Sequence, residues 1–197
     1  MNTEQAILTR RSTRSFLYRK VEREWIEKIV EAGRYAPSGG NNQTNHFFVI
    51  QDEDVLKQIR QIAMDAFSRM EVYEGMYRSL MTSITLSKKG NYVYDYGAPC
   101  LIVIANRKDY GNNRQDMACA LENMLIMANE LDLGSCYINQ LYWLNEDEKI
   151  LELFRSFGLK DDERIYGSLV IGYPDSEDGL PKRVMAERKG NEVTYIG

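Results

Sequence analysis

Arginine guanidinium groups can bind phosphate oxygens through paired hydrogen bonds, and the segment RRSTR offers three of them. Arg10, Arg11 and Arg14 surround the Ser12 and Thr13 hydroxyls. A hydroxyl or backbone N–H can fill an acceptor site that the arginines leave open. Alone, the segment reads equally well as a charged surface turn. A second candidate is APSGGNNQ, Ala36 to Gln43, whose small residues let backbone approach a planar ligand while its amides read polar ring edges. Alone, it is a loop that ends a helix. A third, LGSCYINQL from Leu133 to Leu141, can present backbone N–H groups to a ligand, or be no more than a turn.

Side-chain acid–base chemistry is scarce. His46 is the only histidine, so His-rich metal sites and multi-His mechanisms are excluded. A Ser–His–Asp or Cys–His arrangement would have to use it at the entry to a strand. Neither a GxxxxGKS/T phosphate loop nor a GxGxxG turn between strand and helix is present. No metal site is expected. A chain poor in reactive side chains yet equipped for phosphate is a candidate to borrow reactivity from a cofactor.

The elements that must position these groups follow from hydrophobic spacing. A first helix begins near Asn2 or Thr3 and ends in the arginine cluster. A second runs from about Glu22 to Ala36, with Trp25, Ile26, Ile29, Val30 and Gly33 on one face, and stops at Pro37. FFVI, Phe47 to Ile50, reads as a buried strand. Val55, Leu56, Ile59, Ile62, Ala63 and Ala66 return to helical spacing. The region Val72 to Tyr96 reads as a helix leading into a long, partly exposed loop. CLIVIA, Cys100 to Ala105, and IYGSLVIGY, Ile165 to Tyr173, are strong strands. Between them lies a long helix from about Asp116 to Leu131, apolar around more than half its circumference, with Gly134 placed to end it in the left-handed conformation. SCYINQL is a short strand or extended loop. Asn145 and Glu148 have capping-box spacing for the next helix, which Gly158 terminates. EVTYI at the end is β-like. Pattern alone leaves α/β and α+β both open.

No repeat or linker divides the chain, so one domain over residues 1–197 is expected. With 25 Lys and Arg against 29 Asp and Glu, the net charge of −4 argues against nucleic-acid binding and against a polybasic membrane surface. The three cysteines, Cys100, Cys119 and Cys136, lie far apart and read as buried reduced thiols. Neither a signal-peptide core nor a membrane-length apolar segment is apparent, and a cytoplasmic location follows by elimination.

Taken in order, the segments resemble the FMN-dependent nitroreductase family, whose members carry NAD(P)H:FMN oxidoreductase-like chemistry. The matching motifs are RRSTR, APSGGNNQ followed by FFVI, YGAP before CLIVIA, LGSCYI, and IGYP before PKR. The resemblance spans nearly the whole chain. It implies an α+β sandwich with a central, mostly antiparallel sheet flanked by helices. It also implies an intertwined homodimer with FMN resident at the interface and tails exchanged between subunits.

Residue by residue, the resemblance implies that Arg10 and Ser12 bind the FMN phosphate and ribityl chain with help from Arg11, and that Lys182 and Arg183 complete the phosphate site. Arg14 would lie toward the flavin N1–C2 edge, where a cation stabilises the negative charge of the reduced ring. Pro37, Ser38, Gly39 and Asn41 match a loop contributed by the other subunit, supported by Gln43. Ile138, Asn139 and Gln140 match the segment whose backbone faces the flavin N5, and Asn91 the pyrimidine edge. Many relatives have Pro-Trp where Thr44-Asn45 stand, and glycine in place of Gln140. Tyr92, Tyr94 and Tyr96 either stack on an aromatic substrate or serve packing.

The activity implied is ping-pong oxidoreduction. NADH or NADPH binds transiently and reduces the flavin, and an electron-poor small molecule such as a nitroaromatic or quinone then takes the electrons. No side chain need act as nucleophile. A specialised enzyme of the same fold, such as a reductive dehalogenase or a flavin-consuming member, and a non-catalytic flavin-binding sensor are the alternatives.

Overall fold

Asn2 opens the first helix, α1 (Thr3–Thr9), with a capping box: its side chain accepts from the Gln5 backbone N–H while the Gln5 side chain reaches back to the Asn2 N–H. The computed structural model describes all 197 residues. After α1 come α2 (Arg23–Arg34), a 3-10 turn at Gly39–Asn41, β1 (His46–Ile50), α3 (Glu53–Ser68), α4 (Arg78–Lys88) and β2 (Cys100–Arg107). Then follow α5 (Asn113–Glu130), β3 (Gly134–Ile138), a short α6 (Gln140–Trp143), α7 (Glu148–Ser156) and β4 (Glu163–Gly172). The strands form one sheet in the order β1-β2-β4-β3, every pair antiparallel. This is the α+β arrangement.

Strand β2 explains the layering. Leu101, Val103 and Ala105 join a core with α3, α4 and α7 on one face, through Leu56, Ile59, Phe67, Ile84 and Phe154. Cys100, Ile102 and Ile104 join a second core with α2 and α5 on the other, through Ile26, Ile29, Met124 and Leu125. Successive side chains of a strand point to opposite faces. A central strand covered on both sides is therefore a continuous apolar run, as CLIVIA is. Gly33 lets α2 close on α5, since a Cβ there would lie 2.7 Å from the Met124 sulfur.

Four expectations are corrected. FFVI belongs to an edge strand rather than a buried one, and Val49 is 43% exposed. Asp132, with φ 60°, takes the left-handed position after α5, while Gly134 opens β3. Its missing Cβ makes room for the Thr13 side chain, whose nearest atom would otherwise lie 2.7 Å away. Asp147, not Asn145, caps α7 by accepting from the Lys149 and Ile150 backbone N–H groups, and Asn145 instead donates to the Ile165 carbonyl. EVTYI forms no strand within the chain, and Val193, Tyr195 and Ile196 are strongly exposed.

Candidate functional site

The RRSTR segment runs beside β3. Ser12 and Ser135 form a parallel bridge, and the Thr13 N–H donates to the Ser135 carbonyl at 2.9 Å. Gly134 permits this approach, so the turn after α5 fixes where the arginines lie. Arg10 Nε is buried without a hydrogen-bond partner; its closest carboxylate oxygen, on Glu122, is 3.6 Å away. Arg11 donates to the Arg10 carbonyl through Nη1, whereas its Nη2 is buried and unpartnered. Leaving a buried donor unsatisfied costs about 1–3 kcal/mol, more when the group is charged. Two such donors beside the Ser12 hydroxyl make a site suited to an anion.

Arg14 is steadied differently. Its Nε donates to the Tyr96 hydroxyl at 3.3 Å, and its guanidinium carbon lies 5.8 Å from the centre of that ring. Tyr96 itself adopts φ 56°, an uncommon backbone state for a non-glycine residue. Between these groups sits Cys136. Burial pushes its thiol up, opposed by the Arg14 charge, a Ser12 hydrogen bond and the Arg10 charge. The net direction is upward, so the sulfur stays a protonated thiol rather than a nucleophile.

The end of β3 completes this region. Ile138 is buried and its carbonyl accepts from the Ser168 hydroxyl at 3.0 Å; Asn139 stands at the N-cap of α6. Gln140 is 6% exposed, and its Nε2 donates to the Tyr92 hydroxyl at 2.8 Å. Tyr92 and Tyr96, on the loop after α4, thus reach back to Gln140 and Arg14. Sequence reasoning gave these tyrosines only a stacking or packing role; the alternation in YVYDY was the available signal, with Tyr94 between them turned into the core.

The loop from Pro37 to Gln43 lies elsewhere. Asp116, in the first turn of α5, accepts from the Gly39 N–H at 3.1 and 3.3 Å. The Tyr110 hydroxyl bridges the Gly39 carbonyl and Asp116 at 3.0 and 2.9 Å. A Cβ on Gly39 would collide with the Asn112 amide, so this close docking requires glycine. Ser38 Oγ accepts from the Gln43 N–H, Gln43 Nε2 donates to Asn41 Oδ1, and both Asn41 and Gln43 have φ above 50°. Pro37 is exposed. The arginine segment instead follows α1, whose Ala6 carbonyl accepts from Asn129 near the far end of α5. Residues 116 and 129 of one helix are separated by roughly 20 Å. Within one chain the two motifs do not meet.

Arg183, Asn91 and Cys119 depart from expectation. Arg183 donates to Asp132 Oδ1 at 2.6 Å and to Asn129, and so is engaged with the C-terminal end of α5 rather than left open for phosphate. Lys182 is exposed. Asn91 is exposed in the turn that closes α4, its N–H 3.4 Å from the Leu86 carbonyl, and its side chain makes no hydrogen bond within the chain. Cys119, expected to be buried, faces outward from α5; Cys100 and Cys136 are buried, and none of the three is disulfide-bonded. Burial pushes the Cys100 thiol up to about 12.

An antiparallel four-stranded sheet between two helical layers, with unpaired arginine donors beside one edge strand, defines an α+β protein equipped to hold an anion. The model of the nitroreductase family matches residues 7–173, and the chain belongs to that family. The fold closely follows that of a nitroreductase with bound FMN from Bacteroides fragilis, at a TM-score of 0.86 and 27% identity over the whole of both chains. A putative NADH dehydrogenase/NAD(P)H nitroreductase of Archaeoglobus fulgidus is 29% identical over 87% of this chain and 84% of its own length. Iodotyrosine deiodinase 1 of Sus scrofa is 26% identical over 87% of this chain and 61% of its own. No helix is long and apolar enough to cross a membrane.

Proposed function

We propose that this chain, as one domain over residues 1–197, is an FMN-dependent NAD(P)H oxidoreductase acting on nitroaromatics, quinones or similar electron-poor small molecules. The observation that carries this reading is the pair of buried, unpartnered guanidinium nitrogens on Arg10 and Arg11 beside Ser12. A phosphate dianion reaching both would satisfy these donors. The exposed Lys182 would join them. Arg14, held by Tyr96, sets a fixed positive charge where negative charge develops on reduction. Bound FMN would supply the two-electron chemistry, taking hydride from NADH or NADPH and passing it on after the nicotinamide has left. Ile138, Asn139 and Gln140 would line its reactive edge. Cys136, protonated, takes no part as a nucleophile.

The reading includes a homodimer. A two-fold axis crossing α5 brings the N-terminal end of one helix beside the C-terminal end of its copy. Such an axis would set the Pro37–Gln43 loop of one protomer against the arginine segment of the other, which spans the roughly 20 Å that separates them in one chain. The outer edge of β1, beside a groove of about 460 Å³ lined by His46 to Asp52, Val55 and Phe157, offers a place for the exposed EVTYI segment of the partner. A cytoplasmic location goes with the reading and is consistent with three unpaired thiols.

Absorbance of the purified protein, followed by anaerobic addition of NADH and NADPH separately, tests it. A yellow protein bleached by at least one nicotinamide is expected. A yellow protein that neither reduces would make it a flavin-binding sensor, and a colourless one with no affinity for FMN would reduce RRSTR to a surface turn. Similarity to a deiodinase favours reductive dehalogenation as the second reading; faster turnover of a halogenated phenol than of nitro or quinone substrates would select it.

A further inference from the structure

Gln140 stands at the end of β3 where the sequence pattern of many relatives has glycine, and its side chain is buried in a one-way hydrogen-bond chain. Ser83 Oγ donates to the Ser79 carbonyl at 3.0 Å, which uses its single proton. With its proton there, Ser83 accepts from Tyr92, whose hydroxyl is 2.7 Å away, and that uses the single Tyr92 proton. Tyr92 can then only accept, so the group facing it at 2.8 Å is the Gln140 NH₂. With the Ser83 proton on the Ser79 carbonyl, this order of donors turns Gln140 Oε1 the other way. That oxygen is buried and has no partner in the chain. The residue is more than nine-tenths buried, so bulk water does not satisfy it.

We propose that Gln140 Oε1 is a preset acceptor for the N3–H of the isoalloxazine ring, aimed by Tyr92 and Ser83. This rests on the FMN reading above. The oxidised ring carries one N–H donor, at N3, so a permanent acceptor in the resting site has a single ring partner to take. The same loop that supplies Tyr92 supplies Tyr96 to Arg14, which places both contacts on one side of the site. Asn91, expected at the pyrimidine edge from the sequence, is exposed in the turn after α4 and leaves that role open. Gln140 touches the ring; Tyr92 and Ser83 are positioning residues.

The experiment uses FMN labelled with nitrogen-15 at N3, bound to the full-length protein and observed by NMR, with Kd measured alongside. In the wild type the N3–H signal should be shifted downfield and protected from solvent exchange. Gln140→Met, similar in volume but without an acceptor, should keep FMN with a Kd raised on the order of fivefold to tenfold and lose both the shift and the protection. Tyr92→Phe, which leaves the glutamine in place but unaimed, should move the signal part of the way. An unchanged N3–H signal in Gln140→Met that still binds FMN overturns this proposal alone. Absence of FMN binding by the wild type overturns it together with the cofactor reading.

Discussion

Arg60 and Arg10 are both guanidinium groups drawn into the protein, with side chains 21% and 26% exposed, and their surroundings are opposites. Arg60 Nε lies 2.9 and 2.7 Å from the two oxygens of Asp95, and Nη2 donates to the Ala98 carbonyl at 3.3 Å. Every strong acceptor it needs is part of the chain. Arg10 Nε has no acceptor, and the nearest carboxylate, on exposed Glu122, stands beyond hydrogen-bond distance. The first cation shapes the chain, pinning the YVYDY loop to α3. The second is shaped by the chain for something else. Even at Arg60 the pairing is no gift to stability: burial pushes the Asp95 carboxyl up by more than the Arg60 charge and the Gly97 N–H bring it down.

The largest effect should come from breaking the satisfied pair. Asp95→Ala leaves Arg60 buried without its carboxylate and is expected to cost about 3–5 kcal/mol in urea unfolding. Arg10→Ala, by contrast, removes a buried donor that was never satisfied, and should leave stability unchanged or raise it by up to about 1–3 kcal/mol. Comparable losses in both variants would erase the distinction. The cost of Arg10→Ala should fall on the ligand instead. FMN retention should weaken by at least roughly tenfold, as expected for loss of a hydrogen bond to a charged group worth about 1.5–3 kcal/mol.

Arg14 sharpens the comparison, being held by a neutral phenol rather than a carboxylate and so keeping its full charge for the site. Arg14→Ala should retain FMN and lower the reduction potential by roughly 30 mV, the two-electron equivalent of about 1.4 kcal/mol. Spectroelectrochemistry reads this directly, and an unmoved potential would place Arg14 outside the electrostatics of the ring.

The smallest effect concerns Glu163, a structural carboxylate like Asp95 but with the opposite outcome. Burial raises its pKa, but the His46 hydrogen bond at 2.9 Å, the Lys160 N–H and the charges of both residues together bring it below the usual value of 4.5. A depressed carboxylate contributes stability that is present above its unfolded-state value and lost as pH falls through its folded-state value. Acid titration of the wild type should therefore show a loss of stability from about 4.5 downward that Glu163→Gln does not share.

Most of the architecture was legible because it rests on local rules. CLIVIA had to be a covered strand, Pro37 had to end α2, and Gly158, with φ 105°, had to close α7. The arginine segment was legible for its charge. What escaped depended on distant partners. The left-handed residue after α5 could have been Asp132 or Gly134, and the Thr13 side chain, more than a hundred residues away, reserves the glycine for close approach. Asn145 had capping spacing, but the carbonyl of Ile165 on β4 holds it. Arg183 matched a basic motif, and the acceptors Asn129 and Asp132 at the end of α5 claim it. Gln140 showed as a departure from pattern, yet its significance needed Tyr92 and Ser83 in place.

Sedimentation of the full-length protein with one equivalent of FMN per chain, followed at the flavin's visible band, tests the central claim most directly. The account predicts that the flavin travels with a species of twice the chain mass, and that Arg10→Ala leaves the dimer intact while freeing flavin. A single-chain species with the flavin left behind in solution would contradict it.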